Sequence, residues 1–450
     1  MVRLFQKIFK LKENRTNIRT EALAGTTTFL TMSYIIFVQP AVLSTCGMDF
    51  GAVMAATCIT SALACIIMAF LANYPIALGP AMGHNFYFAF TICGPIVAGG
   101  MGYPWQVALG AHLISGTLFV ILSFFGLREL LISIIPDSLK NAIAVGIGLL
   151  IALVGFEYGG VIVDTPGALV GLGNPKYPEV WTSLFGMMAI GVMIALKIKG
   201  AILYGIIATA LVGVPLGMVQ YQGVISMPPP IDPTLLKCDP IKIFTEPGFI
   251  TVIFVLLFLD VFDTIGTVVG IGEQGGFYKN GKIPRVKQIL LSDALGTVAG
   301  ALLGTSTITS YIESSAGIQA GGRTGLSNIV TACLLLLSLF FYPMIKMIGG
   351  GYQTPNGTRL YPIIAPALII VGSMMVINVR KIKWDDPTES LPSFLTLSIM
   401  PFSLSITEGL SFGFISYSLL KLVTGKFREL HWAFHLVSVA FVVRYIFLKV

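Results

Sequence analysis

Glu313 is the single carboxylate in GTSTITSYIESSAGIQAGGRTG (304–325), a run of small and hydroxylated residues between two apolar blocks. An ionisable side chain at mid-bilayer depth costs roughly 2.5 kcal/mol or more on insertion scales and marks a substrate, ion or proton pathway. A second constellation lies in FVLLFLDVFDTIGTVVGIG (254–272), where Asp260 and Asp263 are three apart and share one broad helical face. Thr267 follows Asp263 by one turn, and with Gly270 the two make a narrow polar stripe facing inward. The third is PIALGPAMGHNFYFAF (75–90), which sets His84 and Asn85 among Met82, Phe86 and Phe88. Carboxylates accept N–H groups, the Asn85 amide is both donor and acceptor, and aromatic rings stack on a flat face. These groups describe a site for a small polar ligand. His84 titrates near neutral pH when unperturbed, and with Asp260 and Ser314 it forms a secondary set for proton coupling. Each residue has a plainer reading: a helix ending near Glu313 that leaves it wet, a structural hydrogen bond at Asp260, a helix–helix contact at Asn85, a packing histidine at His84.

Other signals fail their context. GIGEQG (270–275) matches a dinucleotide-binding glycine pattern but follows an apolar helix rather than a strand. There is no P-loop, HExxH or nucleophile elbow, so no cofactor, metal or catalytic residue is expected and the chain does not read as an enzyme. The cysteines at 46, 58, 65, 93, 238 and 333 form no CxxC pair and no metal spacing. Asn356-Gly-Thr358 matches a glycosylation sequon, meaningful only in a glycosylating host. Arg323 reads as a topology charge or as one half of a gating ion pair.

The elements that hold these residues must lie in a bilayer. Of the 450 residues 55% are hydrophobic and 11% charged, against about 25% charged in soluble domains. Apolar stretches near the ~20 residues needed to span a bilayer run over 22–46, 51–73, 77–96, 105–126, 132–157, 180–197 and 200–219. After the Pro-rich gap 226–242 a second set covers 248–273, 288–304, 305–320, 326–347, 359–378, 392–408 and 409–425. The division expected is a lead-in over 1–21, a seven-segment repeat over 22–219, a linker over 220–247 outside the cytoplasm, and a second repeat over 248–425. Residues 426–450 form an interfacial or extra membrane segment, with Arg444 inside the apolar stretch 430–449 favouring the interfacial reading.

Arg128, Lys140, Lys197, Lys199, Lys279, Lys282, Arg285, Lys287, Arg323, Arg380, Lys381, Lys383, Lys426 and Arg428 fall at even-numbered span ends. Positive loops stay inside, so fourteen spans with a cytoplasmic N-terminus fit, and the net charge of +7 needs no nucleic-acid partner. The poor membrane helices 75–90 and 304–317 are each third in their set, the sequence signature of a transporter's midplane site. The alternation in TSTITSYI suits a short strand.

These blocks resemble the nucleobase–ascorbate transporter superfamily, in particular its AzgA-like branch of adenine, guanine and hypoxanthine permeases. The resemblance runs almost end to end, through NRTNIRTEALAGTTTFLTMSYIIFVQP (14–40), FDTIGT (262–267), GTSTITSYIESSAGIQAGGRTGL (304–326), APALIIVG (365–372) and GFISY (413–417). It implies an all-α membrane fold of fourteen segments in two inverted repeats, a core domain moving against a gate domain, and short strands in segments 3 and 10. It implies proton-coupled uptake of a purine nucleobase across the cell (plasma or inner) membrane, and a homodimer as one available state. It carries base binding onto Asp263, Glu313, Thr267 and Asn85, with Met82 and Phe88 beside them. The third segment departs from the family's usual Ala-Pro-Gly-Met-Gly-x-Asn-Ala-Tyr-Phe at Ala81 and Phe86, with His84 at the variable position, which leaves the selected base open. Alternatives are a same-fold carrier for a pyrimidine, xanthine or an anion, a channel, and an intramembrane enzyme using Asp260 and Asp263.

Overall fold

The computed structural model describes residues 6–96, 100–125, 135–165, 168–277, 283–354 and 357–447. Arg128, Lys279, Lys282 and Asn356 lie outside them. Eight helical stretches among the described residues are long and apolar enough to cross a membrane, with Ala201–Gly213 and Trp432–Ile446 as shorter apolar helices. Their outer faces carry exposed apolar side chains such as Phe70, Phe124, Trp181, Leu211, Leu337 and Leu419. In water such a surface would drive association; in lipid it is the expected coat.

In chain order the first helices are α1 (Ile18–Met32), α2 (Ile35–Ser44) and α3 (Phe50–Leu71). The Asn17 side chain caps α1 by accepting the Thr20 N–H at 2.9 Å, and Asp49 caps α3 through Ala52 N–H at 2.8 Å. Next come β1 (Leu78–Pro80), α4 (Met82–Phe86) and a π-helical turn over Tyr87–Ile92, then α5 (Trp105–Phe125) and α6 (Asp137–Tyr158). The 158–179 loop folds into a hairpin of β2 (Ile162–Thr165) and β3 (Ala168–Leu172), and α7 (Pro178–Ala195) and α8 (Ala201–Gly213) close the first half.

The second half holds α9 (Phe249–Gly275), α10 (Val286–Leu303), β4 (Ile308–Ser310), α11 (Ser314–Gln319), α12 (Leu326–Ser338) and α13 (Tyr342–Gly349). A small ladder of β5 (Tyr352–Gln353) and β6 (Arg359–Leu360) leads to α14 (Ala365–Met375), α15 (Pro387–Ser403), α16 (Ile406–Val423) and α17 (Trp432–Phe447). The helix expected from 392 begins one turn earlier: Asp386 caps Thr388 N–H at 2.9 Å and Pro387 opens α15, so Pro392 falls inside it.

Packing sorts the helices into two groups drawn from both halves. In one, α10 lies on α5 and α3, α12 on α3 and α1, and α9 on α5; in the other, α6 meets α14 and α15, α8 meets α7, and α16 meets α15 and α17. The first group is tight. A Cβ on Gly25 of α1 would sit 2.3 Å from the Ser327 carbonyl oxygen of α12, so only glycine lets these backbones meet, the usual role of small residues between membrane helices. In the second group Lys421 binds Glu389 at 3.1 Å and Glu429 at 2.8 Å, and Arg444 of α17 binds Glu408 of α16 at 2.7 Å. Arg444, the charge that set the last stretch apart, is therefore partnered and holds α17 to the bundle.

Candidate functional site

The two poor membrane helices meet each other. β1 and β4 pair antiparallel with Leu78 opposite Ser310, Gly79 opposite Thr309 and Pro80 opposite Ile308. Gly304 ends α10 with φ +98°, a left-handed cap that frees the chain to run extended into β4. Further bonds tie the same two segments: Tyr311 N–H to the Ala77 carbonyl at 2.9 Å, Ala81 N–H to the Thr307 carbonyl at 2.9 Å, and Ala77 N–H to the Ser314 hydroxyl at 2.9 Å. The Tyr311 hydroxyl donates to the Pro80 carbonyl at 2.5 Å. Non-helical backbone inside a membrane protein persists only when its polar groups are satisfied this way.

This ladder brings two acids to one place. Asp263, on the middle of α9, is exposed, and its Oδ2 accepts the Thr309 hydroxyl of β4 at 3.1 Å. Glu313, half-buried just before α11, accepts the Tyr34 hydroxyl on Oε1 at 2.8 Å, while the Thr31 hydroxyl reaches its carbonyl at 3.3 Å. Tyr34 occupies the break between α1 and α2. Each carboxylate thus holds one hydroxyl donor and stays at least partly accessible, and the two interact electrostatically. Thr267 follows on the same face of α9, half-buried, and Ile312, exposed, approaches Gly270 at 3.5 Å from a built Cβ.

The remaining candidates sit deeper. Asn85 is fully buried; its Oδ1 accepts the Ser306 hydroxyl and its Nδ2 lies 3.8 Å from Met82 Sδ. Gln39 of α2 donates to Thr305 at 2.9 Å and Ser306 at 3.1 Å, so an amide–hydroxyl–amide chain runs beneath the ladder. Phe88 is wholly buried with its ring 5.3 Å from His112. Ser314 is spent on the Ala77 N–H. His84 and Asp260 are buried together, His84 Nε2 4.0 Å from Asp260 Oδ1. Arg323 makes no ion pair among the described residues: its N–H donates to buried Glu21 at 2.9 Å, and its guanidinium caps the Ile318 and Gly322 carbonyls.

Five contributors were not anticipated. Thr309, Ser306 and Gln39 are recognisable only through their partners. Tyr34 carried a signal, as a polar tip beside Ser33 within an apolar stretch. Asp293 carried a stronger one, being an acid inside an expected span; it is fully buried on α10 and accepts the Thr264 hydroxyl. A separate cavity of about 260 Å³, lined by Gln220, Gln222, Lys346 and Arg359 among others, touches none of the acids. Among the described residues no group of three His, Cys, Asp or Glu could hold a metal ion.

A bundle of apolar helices around two strand-broken segments, with accessible carboxylates where they cross, defines a multi-pass membrane transporter rather than an enzyme. The Permease family model matches residues 19–413. The chain belongs to that family, within the nucleobase–ascorbate transporter superfamily and its adenine and guanine/hypoxanthine permease branch. The adenine permease AdeP of Escherichia coli is 40% identical over 446 residues, covering 99% of this chain and 96% of AdeP. The guanine/hypoxanthine permease PbuO of Bacillus subtilis is 40% identical over 428 residues, 94% of this chain and 96% of PbuO. Among solved structures, the transmembrane domain of the cyanobacterial bicarbonate transporter BicA matches with a TM-score of 0.61 at 15% identity, covering 89% of this chain and 97% of that one. At that identity the likeness is one of fold.

Proposed function

We propose that the chain imports purine nucleobases, adenine, guanine or hypoxanthine, together with protons across the cell membrane. The observation that carries this reading is the pairing of Asp263 with Glu313: two accessible carboxylates, each keyed by one hydroxyl, on segments joined by β1 and β4. A purine ring offers N–H groups along its edge, which the two acids accept. In this reading Thr267, one turn along α9 from Asp263, and Met82, Asn85 and Phe88 of the third segment complete the pocket. The identity with adenine and guanine/hypoxanthine permeases supports the same class of substrate. An anion carrier of this fold would need donors and positive charge at this point, since the positive ends of helices and cationic groups attract anions.

In this reading fourteen segments form two inverted repeats, 22–219 and 248–425, separated by the linker 220–247, with the 1–21 lead-in cytoplasmic and 426–450 docked as a final segment. The group containing α1, α3, α5, α9, α10 and α12 is the moving core; the group of α6, α7, α8 and α14–α17 is the gate. The core slides as a unit, in the manner of an elevator, and carries the base and its proton across. A homodimer would anchor the gates.

The test is uptake of radiolabelled hypoxanthine by cells lacking their own purine permeases, at acid and neutral pH, with unlabelled adenine, guanine, xanthine and uracil as competitors. Saturable uptake, stimulated by acid, collapsed by an uncoupler and blocked by one or two purines is expected. Absence of uptake and of competition by every base would overturn the proposal.

A further inference from the structure

Besides Asp263 and Glu313, the same elements hold a set of buried ionisable groups that the binding reading does not use. Asp260 is wholly buried one turn before Thr264 on α9, and neither of its carboxyl oxygens has a hydrogen-bond partner among the described residues. His84 on α4 is 2% exposed, and its Nε2 is equally without a partner. These two atoms face each other at 4.0 Å, about 1 Å beyond a hydrogen bond.

That arrangement fixes the chemistry. A neutral imidazole has one donor and one acceptor nitrogen, and in one of its two tautomers Nε2 is the acceptor. An acceptor nitrogen facing an ionised carboxylate at this depth leaves a bare charge and three polar atoms without partners among the described residues, which is costly in a buried site. One proton removes the conflict: on Asp260 it donates to Nε2, on Nε2 it donates to Asp260. Both forms have no net charge.

We propose that His84 and Asp260 are a proton-sharing pair that bridges α4 and α9 and positions Asp263 for the substrate. This rests on the nucleobase reading for its transport consequence but not for the pair itself. Groups facing the pair are few. On α9 they are Asp263, three residues on, and on α5 His112, wholly buried. Asp293 on α10 interacts electrostatically with Asp260, and its Oδ1 lacks a partner among the described residues. From α6 the neighbour of Gly83 is the apolar Ile147, and α2 (IIFVQPAVLS) carries no ionisable side chain. While the pair keeps its proton it has no net charge, so the Asp260 side presents Asp263 with no uncompensated negative charge. Loss of the proton leaves Asp260 negative beside Asp263, and the pair no longer holds α4 against α9.

The pair is tested with His84→Gln, whose amide imitates Nε2, and Asp260→Asn, alone and together. In purified wild-type protein, infrared difference spectra across a pH titration should contain a protonated-carboxyl C=O band that Asp260→Asn removes and His84→Gln shifts. In transport, the rise of the hypoxanthine KM with alkaline pH should flatten in Asp260→Asn and move by about one pH unit or more in His84→Gln, with the double variant no worse than Asp260→Asn. A wild-type band unaffected by either substitution, or single losses that add in the double variant with an unchanged pH profile, would overturn the pair. If the wild type transports no purine but its band responds as described, the pair stands and the substrate reading falls. If Asp260→Asn does not fold, the shift of the band in His84→Gln decides alone.

Discussion

Tyr34 and Thr309 set how the two acids meet a ligand. A carboxylate has about four acceptor positions, and a hydroxyl at 2.8 Å on Glu313 or 3.1 Å on Asp263 occupies one and fixes the plane of the rest. Glu313→Gln replaces an acceptor oxygen with a donor facing the base N–H; uptake should fall below detection while the protein remains folded in the membrane, checked by transport beside fluorescence-detected size exclusion. Asp263→Asn should do the same, and unchanged transport by either well-expressed variant would refute the site. Tyr34→Phe removes one hydrogen bond to a charged group, about 1.5–3 kcal/mol, so KM should rise roughly tenfold or more with protein abundance unchanged. At this scale the sequence was informative where charge met apolar surroundings, as at Asp263 and Glu313. It was silent where function depends on a partner from another segment. Asn85 could be singled out by type, but that its carboxamide is held by Ser306 from a segment more than two hundred residues away is a tertiary fact. Asp293, an acid inside the apolar span 288–304, is recognisable in the sequence by the same criterion as Asp263.

Elements were legible to the extent that hydrophobic periodicity and caps defined them. The spans 51–73, 105–126, 180–197, 248–273 and 288–304 coincide with helices to within a few residues, and glycine, proline and hydroxyl content marks segments 75–90 and 304–317 as irregular. The β2–β3 hairpin was not read, because a loop of mixed polarity gives no period. The start of α15 was missed because Pro392 lies within the helix while the Asp386 cap lies outside the apolar run. That cap has a pH signature. The Thr388 hydroxyl and N–H hold the Asp386 carboxyl below its usual range, so its contribution is complete above the ordinary carboxylate pKa of about 3.9 and fades as pH falls through the lower folded value. Asp386→Ala should cost about 1 kcal/mol, read as a lower Tm in detergent between pH 5 and 8, with the difference from wild type shrinking only below about pH 4. Gly25→Leu should be more severe: its side chain would enter the Ser327 carbonyl, separating α1 from α12 and abolishing folded protein, checked by size exclusion.

For the whole molecule the sorting of helices into two groups was beyond reach of the linear sequence, since each group takes members from both halves. Beside the helix contacts between the halves runs the ladder of β1 and β4, which lies within the first group. Strand bonds across Leu78–Ser310 and Gly79–Thr309 and the Tyr311–Pro80 contact make the two broken segments one rigid block. In the proposed alternation the base therefore meets the same acids, at the same spacing, whether the cleft opens outward or inward. Affinity is then equal on the two faces, and no difference in binding free energy drives net movement. Only the proton and substrate gradients give it direction. Reconstituted protein preloaded with unlabelled hypoxanthine should accumulate labelled base by exchange at matched pH, with half-saturation alike from either side; strongly unequal values would mean the ladder reshapes during transport.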